Sequence, residues 1–296
     1  MSAVFAAALF AGGTVACGEG SVSDSANQDQ PEMTPAMAVE KAAQKSEDIA
    51  ALHYRITGTV PEKGRLEAEA SMRTEPLAMS MRMSTADQDQ GSRSEIRFID
   101  GVMYFGGSAF ASGEVGGKSW FRADPAVWGL STVDNDSYGV LPRQLEGSPV
   151  VQSTILTASK DVRKLGTEGV DGTRTTHYRG KVTSRDMRAA RNAAADESTR
   201  ERRIKSFEQF LGLRVEGALT IDLWIDDTDN TKQFRMRGDT YGTRGGSEGE
   251  PLELVAGDPL DLTITFLDIN PRVTFEAPPV EDTADLGAMA DEALSR

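Results

Sequence analysis

Leu219-Thr220-Ile221-Asp222-Leu223-Trp224-Ile225 is the stretch that decides the fold, and it runs into Asp226-Asp227-Thr228-Asp229-Asn230. Aliphatic residues at 219, 221, 223 and 225 recur at period two, so a strand places all four on one face. The cluster behind them is short and rich in Asp and Asn, whose side chains hydrogen-bond to nearby backbone and so favour turns. A strand with one buried face that ends at once in a turn calls for an antiparallel neighbour. The same period recurs upstream. Tyr54, Ile56, Gly58 and Val60 alternate with Arg55, Thr57 and Thr59; Leu66, Ala68, Ala70 and Met72 alternate with polar or charged neighbours; Met79, Met81 and Met83 alternate with Ser80, Arg82 and Ser84. Asp100-Gly101, set between Ile96/Phe98 and Val102/Tyr104, is a strong two-residue hairpin signal. Further strands are expected at 118–123, 162–168, 174–183, 216–226, 232–241 and 260–268, which makes the chain mainly antiparallel sheet.

Helical periodicity appears in four places. Thr34-Pro35 reads as an N-cap followed by a first-turn proline, and Val39, Ala42, Ala43, Ser46 and Ile49 then mark one face of a helix to about Ala50. Residues 125–160 carry apolar segments separated by turn residues and suggest short helices. The strongly charged stretch 185–211 has high helix propensity, with Ile204, Phe207 and Leu211 predicted on its buried face. The tail, 281–296, is expected to close as a helix through Leu286, Met289 and Leu294.

A hydrophobic fraction of 39% with 26% charged residues is ordinary for a folded domain. The net charge of −14 argues against nucleic-acid partners, whose phosphates reward Lys/Arg excess. With a single cysteine, Cys17, no intrachain disulfide and no cysteine metal cluster can form. Ser2 to Ala16 carry no charge, and the apolar core Ala3–Ala11 is shorter than the roughly 20 residues that span a bilayer. Small residues then lead to Thr14-Val15-Ala16-Cys17-Gly18, which has the form of a lipobox. The expected organisation is therefore a signal peptide over 1–17, a flexible polar tether over 18–33, a folded body over 34–280 and the tail. A diacylglyceryl group on Cys17 would supply stable anchoring, because two acyl chains hold where one is marginal.

In order along the chain, Thr14–Cys17, the helix after the tether, Phe98-Ile99-Asp100-Gly101-Val102-Met103-Tyr104-Phe105, Lys118-Ser119-Trp120-Phe121, Val170-Asp171-Gly172-Thr173-Arg174-Thr175-Thr176-His177-Tyr178, Leu223-Trp224-Ile225-Asp226 and Phe275-Glu276-Ala277-Pro278-Pro279 carry a family resemblance. Over residues 34–280 the chain resembles the mycobacterial LppX/LprG lipoprotein family, whose fold is similar to the lipoprotein carrier LolA. The resemblance implies an α+β fold in which a strongly curved, half-barrel sheet holds a few helices on its concave side. It implies an apolar cavity for acyl chains, no catalytic residues and no cofactor. The cavity lining expected on this basis is Ile56, Met72, Met79, Met81, Met83, Phe98, Tyr104, Leu219, Ile221, Leu223 and Ile264, with thioethers suited to irregular apolar ligands. An inward apolar stripe is equally what a filled sheet core shows, so the residues alone leave cavity and core both open.

Other motifs point to bland roles. Gly245-Gly246-Ser247-Glu248-Gly249 has the G-x-S-x-G form, yet a polar loop through Glu250-Pro251 succeeds it where a helix is needed. His53 and His177 are the only histidines, and neither has a ligand-spaced neighbour, so no metal site is expected. Asp226–Asp229 lacks the glycine and terminal glutamate of a calcium loop. Arg185, Arg188 and Arg191 share a helical face, with Arg200, Arg202, Arg203 and Lys205 further on; this stripe suits either anionic headgroups or a solvated helix with i,i+4 pairs. The expected function is a monomeric envelope lipoprotein, held on the extracytoplasmic face of the cell membrane through acylated Cys17, that binds a lipid or acylated ligand. The alternative is an interaction or sensor lipoprotein with a closed core.

Overall fold

A computed structural model describes residues 33–86, 93–108, 117–244 and 253–295. The chain divides into Met1–Glu32 and Met33–Arg296, and all the described residues belong to the second unit. Cys17, with the leader and tether expected before residue 33, lies outside the described residues, as does Gly245–Gly249.

Helix α1 (Pro35–Lys45) opens the unit as its sequence dictates: the Thr34 hydroxyl accepts from the Met37 N–H, and Pro35 occupies the first turn. Val39, Ala42, Ala43, Ser46 and Ile49 are all buried. Five antiparallel strands then meander, β1 (Ala51–Val60), β2 (Gly64–Thr74), β3 (Leu77–Thr85), β4 (Ser94–Ile99) and β5 (Val102–Gly106), and β6 (Trp120–Ala123) comes next. Asp100 and Gly101 both have positive φ, 52° and 74°, as the expected primed two-residue turn requires. A long connection carries the short α2 (Pro149–Gln152), and β7 (Arg163–Val170) and β8 (Thr173–Thr183) form the next hairpin. Two helices, α3 (Ser184–Asn192) and α4 (Glu197–Gly212), precede β9 (Ala218–Asp226), β10 (Thr231–Gly238), the small β11 (Tyr241–Arg244) and β12 (Glu253–Ala256) hairpin, β13 (Leu260–Ile269), β14 (Thr283–Asp285) and α5 (Leu286–Leu294).

The main sheet has twelve strands in the order β14-β6-β5-β4-β3-β2-β1-β13-β10-β9-β8-β7. Every pair is antiparallel except β14 on β6. Its two ends do not meet, so it is an open, strongly curved half-barrel rather than a closed one. The pairing of β1 with β13 joins the two ends of the unit at mid-sheet. There Gly58 is obligatory, because a Cβ would lie 2.0 Å from the Asp261 carbonyl oxygen. One core runs from Phe121 on β6 to Tyr178 on β8 and takes in Trp128, Ile155, Leu156, Met187, Phe207, Phe210 and Leu213 from the helices and the long connection. Curvature lets strands at opposite ends of the sheet share that core.

The fold corrects several expectations. The single helix expected over 185–211 is two. Thr183 and Asp186 form a capping box for α3, and Asp196 caps α4 through the Thr199 N–H, so a break at 193–196 re-aims the chain. The buried face of α4 is Arg202, Ser206, Phe207, Gln209 and Phe210, whereas Ile204 and Leu211 are exposed. The helix turns a polar seam inward because partners meet it there: Glu40 of α1 and Glu47 in the turn after it for Arg202, Thr154 for Ser206, and the Gly129 and Leu130 carbonyls for Gln209. The β11–β12 hairpin and β14 have no counterpart among the expected strands, being too short, at three or four residues, to show a period. Tyr104 faces outward. Across the Asp100-Gly101 turn it pairs with outward Arg97, while Met103, which pairs with inward Phe98, and Phe105 take the inward positions.

Candidate functional site

The remaining ten lining residues expected from sequence are all buried. Cross-strand pairing gathers them into rows. Leu52, Met72, Met79, Phe98 and Met103 lie side by side across five strands. Ile56, Ile264, Phe234, Leu223 and Tyr178 form a second row on the other half of the sheet. All of these side chains belong to the same buried core as Met187, Phe207 and Phe210 of the helices. At Gly180, opposite Ile221, a Cβ would lie 2.5 Å from the Ser159 hydroxyl and 3.0 Å from a Leu156 methyl, a measure of how tightly the connection fills the concave side.

One open space lies at an end of that core. A groove of about 670 Å3 runs between α4, α2, the turn after α1 and the β2–β3 hairpin. Ile49, Met72, Leu77, Leu130, Val150 and Val151 supply its apolar surface. Of the residues expected to line a cavity, only Met72 reaches it. Its carboxylates are Glu47, Glu75, Asp134, Glu201 and Glu208, against two cations, Arg202 and Lys205. Both cations are already engaged: Lys205 lies 2.8 Å from Glu201, and Arg202, only 8% exposed, pairs with Glu47 and, at 2.5 Å, with Glu40. The rim is therefore acidic.

Local chemistry fixes the walls. Pro149 starts α2 at the position where its missing N–H costs nothing. Thr154 and Ser206 share a 2.5 Å hydroxyl contact that ties the end of this turn to α4. The Gln209 amide donates to the carbonyls of Gly129 and Leu130 and holds the 129–132 loop against the last turn of α4. Trp128, fully buried, donates to the Leu145 carbonyl at 2.9 Å and pins the connection from below. Apart from Ser206 and Gln209 on α4, these residues carry no periodic signal, because they come from a 3-10 turn, a four-residue helix and irregular chain. Only the apolar richness of 125–160 hinted that the connection packs inward.

A second cluster lies on the opposite, outward face. His177 stacks on Trp224 with ring centroids 4.2 Å apart, its Nδ1 2.7 Å from Glu168 and its Nε2 2.6 Å from Asp222. Asp222, 1% exposed, also accepts from Arg179 at 2.6 Å and Arg237 at 2.7 Å. Burial pushes the Asp222 carboxyl up, but the hydrogen bonds from Arg179, Arg237 and His177 outweigh it and hold the group below the usual aspartate range. Glu168 is lowered by the Trp224 indole N–H and by His177. With both ring nitrogens bound to carboxylates of neighbouring strands, His177 ties β7, β8 and β9 together. His53 bridges Glu69 and Asp268 on the same outward side. The Asp226 carboxylate accepts from the N–H groups of Thr228 and Asn230, so the acidic cluster there is a self-bonded hairpin turn.

The basic stripe is largely consumed within the fold. Arg202 and Arg203 reach Glu40 on α1, Arg200 pairs with Glu197, and Arg191 lies 5.6 Å over the Phe207 ring. Arg185 and Arg188 stay exposed. Among the described residues no helix is long and apolar enough to cross a membrane.

The fold resembles that of two mycobacterial lipoproteins. LprF from Mycobacterium bovis aligns over 82% of this chain and 96% of its own, at 14% identity and a TM-score of 0.48. The Mycobacterium tuberculosis lipoprotein LppX aligns over 82% and 98%, at 13% identity and a TM-score of 0.43. In sequence, the chain is 29% identical over 184 residues to an uncharacterized 31.2 kDa protein of Streptomyces griseus encoded between rplA and rplJ. That match covers 62% of this chain, which spans about half, 53%, of the length of the relative. No family model matches the chain.

Proposed function

We propose that this protein is an envelope lipoprotein that binds an acyl lipid, non-covalently and as a monomer, in the groove between α2, α4 and the β2–β3 hairpin. One observation carries the proposal: an open groove of about 670 Å3 with an apolar floor, on a domain whose sheet core is otherwise covered by its own helices. That volume lies within the roughly 300–1,000 Å3 usual for small-molecule sites. Each methylene taken out of water contributes about 0.8 kcal/mol, so some ten methylenes give roughly 8 kcal/mol before ordering costs. Acylation of Cys17, at the end of a leader over 1–17, would hold the body on the extracytoplasmic face of the membrane through a tether over 18–33.

The test is direct. The chain beginning at Gly18, exported from a bacterial host and purified without detergent, should release near-stoichiometric acyl lipid on extraction and mass spectrometry. A lipid-free protein that also fails to take up a fluorescent fatty acid would sink the carrier reading. The alternative would then stand, an interaction or sensor lipoprotein with a closed core. It is favoured by one feature: the buried aliphatic rows of the sheet pack against the helices rather than onto open space.

A further inference from the structure

We infer that the mouth of the groove docks on a lipid bilayer by inserting the 130–133 turn, and that it selects an uncharged or zwitterionic surface; the inference rests on the groove being an acyl site. Leu130 and Val133 are 51% and 88% exposed, and Leu211 at the end of α4 is 44% exposed. They belong to one patch. Gln209 bonds the Gly129 and Leu130 carbonyls, and at Gly212 a Cβ would lie 2.5 Å from the Thr132 methyl, so the turn lies along the last turn of α4. The turn is also stiff: Ser131 and Asp134 bond to each other through hydroxyl, carboxylate and backbone, which holds the Val133 side chain out at the tip.

Three features identify the occupant as a bilayer. Leu130 belongs to both the patch and the groove, so an acyl chain leaving a bilayer beneath Val133 would enter the groove without crossing water. Gly18 to Glu32, 15 residues, reach at most about 50 Å, which keeps a body anchored at Cys17 within touching distance of the membrane. Three side chains also fall far short of the roughly 800 Å2 per partner that a stable protein interface buries, while shallow insertion needs no more. The acidic rim decides the headgroup class. Five carboxylates face two engaged cations at the groove, and an anionic surface would be repelled.

The sheet and core lie wholly within 33–295, so the chain from Gly18 onward is the form to use. It should float with phosphatidylcholine vesicles and float less when phosphatidylglycerol is added. Val133→Asp with Leu211→Asp, both outside the groove lining, should weaken partition about tenfold or more, because the inserted aliphatic groups supply the attraction. The melting temperature should be unchanged, since both side chains are exposed. The double variant should lose loading from vesicles yet take up a monomeric fluorescent fatty acid like the parent; if neither protein takes up that probe, the groove reading fails while flotation still tests the docking face. Equal flotation of variant and parent would overturn the inference. Stronger binding to anionic vesicles, abolished by Arg185→Gln with Arg188→Gln, would overturn it as well and move the contact to α3.

Discussion

Replacing Val151 with Asp puts a carboxylate on the apolar wall of the groove at a position that is only partly buried. Folding should lose little, since the new group can stay hydrated while the groove is empty. Binding should lose much. A chain lying on residue 151 forfeits the contact of a valine side chain, worth up to about 1.5–3 kcal/mol, and must strip water from a carboxylate with no cation to spare, at least about 1–3 kcal/mol more. Together these predict on the order of a hundredfold weaker affinity or worse, read by displacement of a fluorescent fatty acid. The partner experiment is Ile221→Trp. Ile221 is fully buried, sits opposite Gly180 and pairs with Met236, with Leu156 close behind. Over-packing there should cost about 1–3 kcal/mol in urea unfolding and leave affinity near that of the parent in the folded fraction. Val151→Asp binding as well as the parent would refute the groove as the site. A stable Ile221→Trp that abolishes binding would place the lipid against the sheet instead.

Further outcomes follow from the ion pairs, and one from Cys17. Asp222→Ala should destabilise by about 2–4 kcal/mol, because it leaves two arginines and His177 facing one another, whereas Asp261→Ala, which breaks the more exposed Arg235 pair, should cost under about 1 kcal/mol. Since the folded Asp222 carboxyl is held below its unfolded value, its contribution is complete above the ordinary aspartate value near 3.9 and is lost as pH falls through the lowered folded value, so parent and Asp222→Ala stabilities should converge in acid. Arg202→Met should cost about 2–4 kcal/mol by leaving Glu47 without a cation and Glu40 with only Arg203 at 3.6 Å, and adding Glu40→Gln and Glu47→Gln should recover at least half of it. Cys17→Ser should move the protein from the membrane to the soluble fraction; a variant that stays membrane-bound, with a parent lacking acyl mass, would remove the anchor.

What the sequence determined by itself is the sheet. Leu219, Ile221, Leu223 and Ile225, like Met79, Met81 and Met83, announce strand and face because side chains alternate at every residue, and a single turn such as Asp100-Gly101 then sets the register of its neighbour. The same rule, carried through that turn, would have placed Tyr104 outward. The start of α1 was equally legible, since Thr34 and Pro35 act on their own backbone. The groove was not. Its walls come from Ile49 after α1, Leu77 at the start of β3, Val150 and Val151 on a four-residue helix, and Leu130 on a loop, residues with no common period. The inward polar seam of α4 was hidden for a related reason: Arg202 is buried only because Glu40 and Glu47, some 160 residues earlier in the chain, meet it there. Local pattern reports which face a residue takes on its own element. Whether the space beyond that face is filled or open depends on which distant segments arrive to cover it, and that is decided only when the whole chain packs.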